Sequence, residues 1–66
     1  MTIGDRIGIR RQAIDMTQAE LARIVGYKDR SAIAQIERGN VDLPLSKVEA
    51  IAEALSISPA RLCGWK

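Results

Sequence analysis

The sequence predicts an all-α fold, a compact bundle of five short helices. Two observations carry this. Aliphatic residues recur at three- and four-residue spacing in separate short segments. Most of those segments open on a Thr, Asp or Ser placed to cap a helix. No strand-like alternation, internal repeat or low-complexity tract competes with this reading. Sixty-six residues make one domain at most. A chain this short buries only a small core. With 47% hydrophobic residues, no Phe, and Tyr27 and Trp65 as the only aromatics, that core must be built from Ile, Leu, Val and Ala.

Helix 1 is expected to begin after Thr2, which with Asp5 forms a capping pattern, and to run to about Ala13 or Ile14. Ile3, Ile7 and Ile14 share one face, and Met16 packs just beyond the end. Arg10 is expected to point to solvent or to a phosphate. Helix 2 should start at Gln18. Thr17 is its N-cap and Glu20 closes a capping box; Leu21, Ile24 and Val25 follow at helical spacing, and Gly26 can take the positive φ of a helix end. Ala22 is small where two helices must cross closely.

Helix 3 should start after Asp29 and run to Arg38, where Gly39 stops it. Ile33 and Ile36 define its buried side. The outward side is then Ser31, Ala34, Gln35 and Arg38, with Arg30 at its edge. A helix with a narrow apolar seam and such an outward set can lie in a DNA major groove. Gln offers a bidentate amide to adenine, Ser is an adaptable donor or acceptor, and the Ala methyl can meet a thymine methyl. The same pattern also describes an ordinary amphipathic surface helix. Asn40 to Pro44 is a loop. Helix 4 should start at Ser46, with Glu49 completing a capping box, and run to Leu55. Its seam is Val48, Ile51, Ala52 and Leu55, with Lys47, Glu49 and Glu53 facing water. Ser58-Pro59 is an N-cap with Pro at N1. It opens a last helix that ends near Gly64 and sends Leu62 to the core.

Composition narrows the function. There is no His and one Cys, so classical zinc sites and His-based catalysis are excluded, and neither a metal nor a cofactor is expected. No nucleophile has a neighbouring base, so an enzyme is not expected. The lone Cys63 suits a reducing compartment. No stretch approaches 18 apolar residues and no signal-peptide pattern is present, so a cytoplasmic protein with no membrane partner is expected. The net charge is +2. Its excess lies entirely in residues 1–39, with seven Lys or Arg against five acids, while the remainder is balanced at three against three. A local basic face is the footprint of nucleic-acid binding, though such a ratio is common on neutral surfaces too.

The stretch Thr17 to Gly39 resembles the helix-turn-helix of the phage repressor and Cro family, the lambda-repressor-like domains. The matching residues are Thr17-Gln18, Glu20-Leu21-Ala22, Gly26, Ile33, Ile36-Glu37 and Gly39. The likeness extends to Ile7, Arg10-Arg11 and Met16 before the motif. After it come Ala52, Ala54-Leu55, Ile57-Ser58-Pro59 and Leu62-Cys63-Gly64-Trp65. Between Gly26 and Ile33 the chain holds one residue more than the shortest members of the family.

The resemblance implies a single DNA-binding domain over residues 1–66, most simply a phage-type or prophage-type transcriptional repressor in a bacterial or phage-infected cell. Helix 3 would read bases with Arg30, Ser31, Ala34 and Gln35. Phosphates would fall to Gln18 at a helix N-terminus and to Arg10, Arg38 and Asn40. Arg11 would pair with Glu37, the alternative being two solvated side chains. Binding would be as a two-fold dimer on a pseudo-palindromic operator, weakly associated or monomeric when free. Arg61 and Trp65 would stand near the two-fold axis, unless Trp65 folds back over its own helix. The same fold also serves antitoxin-like and other protein-interaction modules, which is the alternative function.

Overall fold

The computed structural model describes residues 1–64. Five helices follow in order: α1 (Ile3–Ala13), α2 (Gln18–Val25), α3 (Arg30–Glu37), α4 (Leu45–Ala54) and α5 (Pro59–Cys63). There is no strand among the described residues. The helix starts follow local chemistry. Thr2 and Thr17 each form a complete capping box, with Asp5 and Glu20 reaching back to the cap N–H. Asp29 caps α3 through the Ser31 N–H at 2.9 Å. Ser58 caps α5 with Pro59 at N1.

Helix ends share a device that only partly shows in the sequence. After each of the first four helices one residue turns left-handed, and the next N–H reaches back five residues to a carbonyl, as in a Schellman closure. Gly26 and Gly39 do this after α2 and α3, but Asp15 and Ser56 do it after α1 and α4. The left-handed Ser56 has help. Arg10 Nε donates to the Leu55 carbonyl at 2.9 Å and Nη2 to the Ser56 carbonyl at 3.2 Å. A cation on the final carbonyls of a helix also offsets its dipole. Arg10, expected at a phosphate or in solvent, is therefore engaged in closing α4.

Ile7, Leu21, Ala22, Ile33, Ile36, Ile51, Ala52, Leu55 and Leu62 form one buried aliphatic cluster. Around it α2 packs on α3 and α4, α1 on α3 and α5, and α4 on α5. The crossing of α1 over the end of α3 depends on Gly4. A Cβ there would lie 2.5 Å from the Ile36 carbonyl oxygen and 2.7 Å from that of Glu37, closer than side-chain carbon tolerates.

Three other features differ from the sequence expectation. Helix α4 begins at Leu45 after the extended Pro44, with no side-chain cap; Ser46 is already inside the helix, so its pattern with Glu49 is not a capping box. Ile24 is not part of the α2 seam but is 56% exposed. Lys47 does not simply face water: its ammonium sits 4.8 Å from the centre of the Tyr27 ring, a cation–π contact that pins the turn between α2 and α3 to α4.

Candidate nucleic-acid interface

Helix α3 is held by its buried side and offered by the other. Ile33 and Ile36 are in the core, while Arg30, Ser31, Gln35 and Arg38 are exposed and Ala34 is partly so. Of this outward set, Arg30 and Arg38 have no side-chain hydrogen bond or ion pair among the described residues. Arg30 lines an open cleft of about 830 Å³ together with Arg11, Gln12, Thr17, Gln18 and Ala19. A guanidinium and the start of α2 thus border one concave surface.

Among the described residues, the start of α2 leaves two backbone donors open. The Thr17, Glu20 and Leu21 N–H groups are spent on the capping box and the first helical turn, which leaves those of Gln18 and Ala19. Unpaired N–H groups at the positive end of a helix dipole suit an anion.

Behind this surface lies a three-helix clamp. Arg11 Nε meets Glu37 Oε2 at 2.8 Å and Arg11 Nη2 meets Oε1 at 3.3 Å. Arg11 Nη1 donates to the Met16 carbonyl at 2.9 Å, and Gln18 Nε2 to Glu37 Oε1 at 3.2 Å. The ion-pair side chains are only 12% and 15% exposed. The structure brings Arg11, Gln18 and Glu37 together, so α1, α2 and the end of α3 are locked in one register. Gln18 has one amide hydrogen committed to this clamp, and the rest of its amide is uncommitted among the described residues.

Two outward polar residues also have neighbours. Ser31 Oγ donates to Asp29 Oδ1, and the Ser31 N–H joins it there. These two bonds, the hydroxyl's first, hold the Asp29 carboxyl below the usual carboxylate range. Asn40, expected at a phosphate, donates from Nδ2 to Gln35 Oε1 at 2.8 Å, and its N–H donates to the Gln35 carbonyl at 3.0 Å. Spacing alone did not bring these two together, because the turn at Gly39 is what returns Asn40 to the last turn of α3. Arg61 is exposed on α5. Trp65 lies outside the described residues. Those residues hold no group of His, Cys, Asp and Glu that could bind a metal ion, and no described helix is long and apolar enough to cross a membrane.

A short helix packed across a second, with its polar face outward and its rear locked by an ion pair, defines a helix-turn-helix domain of the lambda-repressor type. The chain belongs to the helix-turn-helix family, whose pattern matches residues 7–62. It is 39% identical over 64 residues to the immunity repressor protein of Bacillus phage phi105, covering 97% of this chain and 44% of that protein. The chain thus spans less than half the length of that relative. The P22 c2 repressor, solved in complex with a synthetic operator, is 32% identical with a TM-score of 0.88, over 100% of this chain and 98% of that one. The restriction-modification controller protein C.AhdI from Aeromonas hydrophila is 35% identical with a TM-score of 0.83, over 91% of this chain and 86% of that one.

Proposed function

We propose that this chain is the sequence-specific, double-stranded DNA-binding domain of a transcriptional regulator, most simply a repressor of phage or prophage type. The observation that carries the reading is the outward face of α3. Arg30, Ser31, Gln35 and Arg38 are exposed on a helix whose other side is buried and whose end is clamped to α1 and α2. With α3 in the major groove, Arg30, Ser31, Ala34 and Gln35 face base edges. Arg38 and the N-terminus of α2 with Gln18 hold phosphates on either side. The likeness to repressors and to an operator complex supports the same assignment.

On this reading residues 1–66 act as one domain that binds and performs no covalent chemistry. Two copies sit on a pseudo-palindrome with half-sites about one helical turn, roughly 34 Å, apart. The longest dimension of the domain, 31 Å, fits two copies along one face of the duplex. Arg61 stands at the corner where the copies approach. The test is binding to random duplex DNA at rising salt. Affinity should fall steeply as counterions are retained on the phosphates. A protein-interaction module would show no salt-dependent DNA binding at all.

A further inference from the structure

We infer that Asn40 is a positioning residue that fixes which atoms of Gln35 face a base, making Gln35 a hydrogen-bond donor that selects guanine. This rests on the reading that α3 enters the major groove, and deepens it. Gln35 carries one acceptor oxygen and one NH₂ group on a freely rotating amide. Left alone, such an amide can present both atoms to adenine, accepting from N6 and donating to N7. Here it is not left alone. Asn40 Nδ2 holds Gln35 Oε1 at 2.8 Å, and no hydrogen bond occupies Gln35 Nε2 among the described residues. Both side chains are exposed, so the outward NH₂ is available to a ligand.

Asn40 is itself fixed. The left-handed Gly39 turns the chain, and the Asn40 N–H closes on the Gln35 carbonyl at 3.0 Å. The side-chain contact is therefore built on a backbone contact between the same two residues, which keeps the two amides side by side before any DNA arrives. With its oxygen turned to Asn40, Gln35 offers two N–H donors. Among the four bases guanine alone shows two adjacent acceptors, N7 and O6, in the major groove, whereas adenine shows one acceptor beside a donor.

The experiment selects bound sites from a random DNA pool with the wild type and with Asn40→Ala, Asn40→Asp and Gln35→Ala. The base pair whose preference Gln35→Ala abolishes identifies the Gln35 position. Wild type should prefer guanine there. Asn40→Ala should lower that preference about fivefold or more, near the lower end of what one good side-chain–base pair discriminates, with an unchanged salt slope because no charge is lost. Asn40→Asp can only accept, so it should hold Gln35 Nε2 and turn Oε1 outward. Preference should then move to the amino-bearing bases adenine and cytosine. Both variants keep the backbone bond that closes α3, and circular dichroism checks that they fold. Adenine preferred by the wild type, an Asn40→Ala protein with unaltered preference, or equal weakening on all duplexes would each overturn the inference. The last result would make Asn40 a phosphate contact. Failure to enrich any site would instead overturn the proposed function, and the inference with it.

Discussion

Gln35 and Arg38 stand one turn apart on the same exposed face, yet their substitutions should be distinguishable. Gln35→Ala should cost specific binding about 1–3 kcal/mol and leave random-DNA affinity almost unchanged; equal losses on both would remove Gln35 from the base edge. Arg38→Ala should weaken binding to every duplex and reduce the salt slope by about one, and an unchanged slope would place it away from the backbone. Arg10 gives a third outcome. Its guanidinium is bonded to the Leu55 and Ser56 carbonyls, so Arg10→Met should cost about 1–2 kcal/mol of folding stability and leave the salt slope alone. A reduced slope with unchanged stability would return Arg10 to the phosphates. The sequence could not show this, because both partners lie more than forty residues away and are backbone atoms. Asn40 was equally illegible: its partner depends on how the chain turns at Gly39, not on any residue spacing. Ser31 and Gln35 were legible as outward residues because helical periodicity with Ile33 and Ile36 fixes the face.

Among the elements, the starts of α1, α2, α3 and α5 were legible because a cap is a contact between residues two or three apart. Helix α4 shows the limit of that logic. Ser46 and Glu49 have the spacing of a capping box, but Pro44 already ends the loop in extended geometry, so the helix begins one residue before the serine. The need for Gly4 is not legible in the sequence, since nothing there says that α3 lies against it. Gly4→Ala should force α1 away from the Ile36 carbonyl and cost about 1–3 kcal/mol, measurable by urea denaturation. The clamp between helices predicts coupling. Arg11→Met and Glu37→Met should each destabilise the fold by more than the pair of changes together, because either alone strands a charge that is mostly covered; an additive cycle would show two solvated side chains. The caps predict a pH response. Hydrogen bonds to the Thr2 N–H and hydroxyl lower the Asp5 carboxyl below its ordinary range; those to Thr17 and to Ser31 do the same for Glu20 and Asp29. Folding therefore favours their ionised forms. Their contribution is complete above the ordinary carboxylate pKa, about 4, and is lost as pH falls through the lowered values. The thermal midpoint should drop in that acid range, and less so in Glu20→Gln; a midpoint insensitive to Glu20→Gln there would contradict the role of the cap.

On the proposed reading two copies share a palindrome, yet a corner as small as Pro59, Ala60 and Arg61 falls far below the roughly 1,200 Å² of a stable interface. Sedimentation at micromolar concentration should show mainly monomer, with pairing driven by DNA. A tight dimer formed through another face would contradict this. Whether α3 reads a sequence is decided by a comparison of two duplexes. Sites are selected from a random pool, and affinity for the enriched duplex is compared with affinity for scrambled duplex at one fixed salt concentration. A sequence-reading α3 should give a preference of about 10³-fold or more, within the range of specific DNA-binding proteins, and Gln35→Ala should lower it by roughly 5- to 150-fold, the equivalent of about 1–3 kcal/mol. Equal affinity for both duplexes would contradict it.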